Sequence, residues 1–188
     1  IDADIEEFLV AAAKTDHEKQ VSRIVETLGD VSANKPRSLE FLTQRLSSQD
    51  RLDQQVACDS FAKIGPPAHV ALPKLIEIAA RPQVPLKGNQ DGGFAYRESR
   101  DLHRAALSAI AAIGASEEAI PVLTSALSGD AFSARIAADS LATLGPRAVS
   151  ALPELERLKA RNDYQGRAIA LAMAVKAAKQ AIAAIKPV

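Results

Sequence analysis

Tryptophan is absent from this chain of 188 residues, and all aromatics together make up 4% of it. Few stacking platforms therefore exist for bases, sugars or flat cofactors. A single cysteine, Cys58, excludes an intrachain disulfide and a cysteine-cluster metal site, and leaves the redox compartment open. Charge of one sign is also lacking: 23 Lys and Arg face 23 Asp and Glu, so no net field draws the chain to nucleic acid or to an anionic membrane. The most apolar stretch, AIALAMAVKAAKQAIAAIK, is mostly alanine and carries Lys176 and Lys179, which is too weak for membrane insertion. The chain starts at Ile1 without a methionine, so a missing signal peptide says nothing about export.

What is present is alanine, and a pattern anchored on four glycines, Gly29, Gly65, Gly114 and Gly145. The segments before them read KQVSRIVETLG, QVACDSFAKIG, RAALSAIAAIG and RIAADSLATLG. One residue before each glycine stands Leu28, Ile64, Ile113 or Leu144; four before stands Val25, Phe61, Ile110 or Leu141; eight before stands Val21, Ala57, Ala106 or Ala137. Those offsets fall on one face of a helix and predict that the face is buried. Glycine then closes each helix, and Pro66 and Pro146 forbid its continuation.

A second helix is expected after each of the last three glycines, opened by Pro73, Pro121 and Pro153, since proline is tolerated in a first turn. Leu75, Leu123 and Leu155, two residues on, supply its buried stripe. The first unit keeps this pattern only loosely, at Pro36 and Leu39. One such hairpin cannot bury its own face, so stacking on neighbours is required. The expected fold is all-α: a single α-solenoid domain of about four HEAT-like helical hairpins, over residues 1–48, 51–81, 101–129 and 130–161, with a C-terminal capping helix over 163–186. That helix opens with Asp163 and Arg167 but lacks a glycine stop.

The 31-residue spacing from Gly114 to Gly145 is short beside the roughly 40 to 47 of usual HEAT and armadillo units. The pattern resembles the short HEAT-like repeat family first associated with phycobilisome lyases, whose consensus runs Asp, Arg, paired alanines, a leucine-glycine stop, then Ala-Leu-Pro-x-Leu. Arg104 and Arg135 occupy the consensus arginine, with Asp101 and Asp130 near the aspartate; Gln55 and Lys19 replace the arginine in the earlier units. The resemblance implies a ladder of these charges between repeats. It also permits a pigment-handling or other small-molecule role. A HEAT-fold hydroxylase of the deoxyhypusine type would need several His-Glu steps for its irons, and only His17-Glu18 is present.

The spacing from Gly65 to Gly114 is 49, so an insertion is expected, a loop over 82–100 reading PQVPLKGNQDGGFAYRESR. Long loops on rigid scaffolds often carry function. Phe94, Tyr96 and Arg97 are therefore candidates for a partner-contacting tip. GNQDGG lacks the lysine of a phosphate loop and the oxygen ladder of a calcium loop. His69 reads as a turn residue, His103 as an exposed helix position and Cys58 as a small core residue.

The function expected is a non-catalytic interaction scaffold that binds another protein, with no cofactor, no metal and no nucleic acid. Candidate contacts on the second helices are Lys74, Glu77, Arg81, Thr124, Glu154 and Arg157, the polar positions flanking each buried leucine. A HEAT-like DNA-repair glycosylase would need a basic groove and aromatics that this composition lacks. The ragged first unit is compatible with membership of a longer chain.

Overall fold

Asp50 opens the first well-bounded helix because its carboxylate accepts the Leu52 amide at 2.8 Å, satisfying one of the N–H groups a helix start leaves unpaired. That helix closes at Gly65, whose φ of 69° an L side chain rarely adopts. Asp130 and Gly145 repeat the arrangement, with the Asp130 side chain taking the amides of Phe132 and Ser133 at 3.0 and 3.3 Å and Gly145 at φ 57°. The computed structural model describes residues 36–83, 90–161 and 168–186.

Among them the elements are all helical, packed in antiparallel pairs. In chain order they are α1 (Pro36–Arg45), α2 (Arg51–Ile64), α3 (Leu72–Ala79), α4 (Gln90–Ile113), α5 (Ile120–Ala126), α6 (Ala131–Leu144), α7 (Leu152–Lys159) and α8 (Ala168–Ile185). Short 3-10 helices lead into α3, α5 and α7, over Pro66–Ala71, Glu117–Ala119 and Gly145–Ala151. Pro73, Pro121 and Pro153 each stand in the first turn of a short helix, as expected.

The chain divides into two compact units, residues 1–113 and 114–188. In the first, α4 packs along α2 and also against α3, while α1 lies on α2. In the second, α8 packs along α6 and against α7, while α5 lies on α6. The glycine-anchored faces are buried as the spacing requires: Ala57, Phe61 and Ile64 on α2, Ala106, Ile110 and Ile113 on α4, and Ala137, Leu141 and Leu144 on α6. Leu75, Leu123 and Leu155 are fully buried. Val21, Val25, Leu28 and Gly29 lie outside the described residues.

The two units correspond position by position. Gly65 and Gly145, 80 residues apart, fix the relation of α2 to α6 and of α3 to α7. A Cβ on Gly65 would meet the Ala112 carbonyl at 3.5 Å, and one on Gly145 the Ala184 carbonyl at 3.8 Å, which places α4 and α8 in register at 72 residues. Buried Leu102, Ala105, Ala106, Ala109, Ile110 and Ile113 then match buried Ala174, Ala177, Ala178, Ala181, Ile182 and Ile185. Alanine on these faces lets the paired helices approach closely.

Two expectations are corrected. The segment 82–100 is not a loop throughout, because α4 begins at Gln90 and carries Tyr96 and Arg97 in its second turn. His103 is not exposed: it is 9% accessible, and its Nδ1 lies 3.0 Å from the Ala79 carbonyl. The cause is that α4 covers both α2 and α3, so its buried face is wider than one stripe. The C-terminal helix is described from Ala168; Asp163 and Arg167 lie outside the described residues.

Candidate functional site

The polar residues singled out on the second helices are largely engaged with one another. In the first unit the Lys74 ammonium donates to Glu77 at 2.7 Å and the Arg81 guanidinium reaches the same carboxylate at 3.3 Å. Hydrogen bonds from Lys74, and then from Arg81, hold the Glu77 carboxyl below the usual carboxylate range. In the second unit Arg157 pairs with Glu154 one turn away. Thr124 is half-buried and donates its hydroxyl to the Ile120 carbonyl at 2.7 Å. Exposed pairs of this kind add little stability.

Tyr96 and Arg97 stand on α4, where the Arg100 guanidinium lies 5.7 Å from the Tyr96 ring centre and Arg97 is exposed. The side chain of Phe94 lies outside the described residues. Of the charges that the resemblance places in a ladder, Asp130 caps α6, Arg135 reaches Asp139 in its own helix at 3.3 Å, and Arg104 lies 3.9 Å from Asp101. Lys19 lies outside the described residues.

Arg81 has a second attachment. Its Nη1 donates to the Gln54 carboxamide oxygen at 3.1 Å, and the Gln54 Nε2 donates in turn to the carbonyls of Leu46 and Ser48 at 3.0 and 2.8 Å. The guanidinium is thereby held beside a cavity of about 140 Å³ in the first unit. Its polar lining comes from Arg51 at the start of α2, Arg81 just past α3, and Ser99 and His103 four residues apart on α4; Ile78, Pro82 and Leu102 supply the apolar remainder. The His103 ring is oriented by its contact to Ala79. Two guanidinium groups, a hydroxyl and an imidazole thus stand along the described lining of the cavity.

Arg81 was legible in the sequence as a polar flank, but Arg51, Ser99 and His103 were not grouped with it. The only available sign was the four-residue step from Ser99 to His103, which puts both on one helix face. Nothing in the chain order brings Arg51 to them.

A second hollow in the same unit, about 540 Å³ and open to solvent, is lined by Leu39, Glu40, Thr43, Gln44 and Val70, with mostly carbon at its surface. Cys58 is fully buried, and burial pushes its thiol far above the ordinary range, the opposite of what a nucleophile needs. Among the described residues no group of three His, Cys, Asp or Glu side chains could hold a metal ion, and no helix is long and apolar enough to cross a membrane. Compared with known proteins, the sequence matches no family model and no curated protein.

Proposed function

We propose that the chain is a non-catalytic scaffold, an α-solenoid of HEAT-like hairpins with α8 as its capping helix, that holds another protein. The correspondence of the two units supports the repeat reading, since hairpins that share a burial pattern are what stacking demands. The observation that carries the binding role is an exposed large apolar side chain at the same register of both first helices. Leu52 on α2 is 56% accessible and Phe132 on α6 is 43% accessible. Single exposed apolar residues are ordinary; the same position left exposed twice, once with an aromatic, is what a binding surface would use. Lys74, Arg81, Tyr96 and Arg97 in the first unit and Arg157 in the second are the polar contacts of this reading.

The test is affinity capture from a lysate of the cells that make the protein, comparing the intact chain with Leu52→Asp/Phe132→Asp. Both positions are exposed, so circular dichroism should be unchanged. Loss of a captured protein in the double variant is the expected result. Undiminished capture would move the contact to Lys74, Arg81 and Arg157, and recovery of no protein by the intact chain would defeat the scaffold reading. The open hollow at Leu39 and Val70 favours a second reading, a small apolar ligand such as a pigment, which copurification of a coloured or small-molecule species would support.

A further inference from the structure

The cavity between α2, α3 and α4 has an internal control. At the positions of the second unit that match Arg51, Ser99 and His103 stand Ala131, Leu171 and Val175. Arg81 alone has a counterpart of its own kind, Arg161, whose Nη1 donates to the Gly129 carbonyl at 2.9 Å. The matching helix arrangement of the second unit is therefore compatible with small or apolar side chains at three of these places.

We propose that this cavity binds the phosphoryl head of a small anion, either free orthophosphate or a phosphate monoester. Arg51 and Arg81 bring two guanidinium groups to one small cavity, and a guanidinium suits phosphate because its planar fork of donors matches two oxygens at once. The structure commits two of the five Arg81 N–H groups, one to Gln54 and one to Glu77, and the Gln54 relay fixes the orientation of the rest. The Glu77 side chain is 55% exposed, and solvent weakens its opposition to an incoming anion. Ser99 contributes a hydroxyl able to donate to a phosphate oxygen, while His103, whose Nδ1 donates to the Ala79 carbonyl, donates to an anion only through Nε2 of the imidazolium. A volume of about 140 Å³ takes the phosphoryl head and leaves any organic remainder outside. This inference does not depend on the scaffold reading.

The test is a nuclear magnetic resonance titration of the full chain with sodium phosphate, O-phosphoserine and sodium acetate, against sodium chloride at equal ionic strength. Phosphate is expected to shift the amide signals of Ser99 and His103 saturably, and to leave those of Leu171 and Val175 in place. Tighter binding of O-phosphoserine than of phosphate would assign the site to a monoester, and the reverse order to the free ion. Arg51→Ala, an exposed position that takes the second unit's residue, is expected to weaken binding about ten-fold, the effect of one lost charge-assisted hydrogen bond. His103→Val, again the second unit's residue, provides an independent variant. Shifts that chloride reproduces, equal affinity for acetate, or unchanged affinity in Arg51→Ala would each overturn the proposal.

Discussion

The stretches 50–81 and 130–161 are two solutions to one problem, and they differ in how an arginine reaches the turn before the first helix. In the second, Arg161 bonds the Gly129 carbonyl directly. In the first, Arg81 stops at Gln54, which passes the connection to the carbonyls of Leu46 and Ser48. The apolar positions, the capping aspartates and the closing glycines are shared. Polar side chains at the helix ends are where the two part company, and the cavity lies there.

The severest test of the correspondence is in the core. Phe61 and Leu141 occupy matching positions with no exposure. Phe61→Ala is expected to cost about 3–5 kcal/mol and Leu141→Ala about 2–5 kcal/mol in urea denaturation. A cost below about 1 kcal/mol at either would show that the matching burial does not mean matching support.

Less costly is the difference between the two turns. Gln54→Ala removes the donor to two carbonyls and the acceptor for Arg81, so a loss of roughly 1–3 kcal/mol is expected by the same measurement. Arg161→Met, which removes the part-buried bond to the Gly129 carbonyl, should cost about 1 kcal/mol. A loss below about 0.5 kcal/mol in Gln54→Ala would mean that the glutamine relay is idle.

The smallest effect concerns Cys58, matched by Ala138. Burial, then the neighbouring Asp59 charge, keeps its thiol protonated in the folded chain, while the unfolded chain ionises near the ordinary value of about 8.5. Stability from this group is thus complete below that pH and falls as pH rises beyond it, by at most about 1.4 kcal/mol per pH unit. Cys58→Ala should cost about 1 kcal/mol or less at neutral pH and flatten this alkaline slope. A slope unchanged in the variant would assign it to other groups.

Glycine and proline made the helix boundaries legible, because Gly65, Gly145, Pro73 and Pro153 act through local backbone geometry that no distant contact overrides. The stretch before Arg100 misled because there the local signal is outweighed. Gly92 and Gly93 read locally as loop, yet the helix that Leu102, Ala106 and Ile110 anchor extends back through them. His103 was misplaced because one helix period reveals a single stripe, whereas α4 meets two partners. The cavity was illegible because Arg51, Arg81 and His103 converge from three helices, and convergence is a tertiary fact.

Alanine, the commonest residue in the described core, also bears on how this protein answers to temperature. A methyl group covers little apolar surface, so unfolding should wet less hydrocarbon per residue than a leucine-rich core would. The heat-capacity increment scales with that surface. The stability curve is accordingly expected to be broad and shallow, with a stability at its maximum that changes slowly on either warming or chilling.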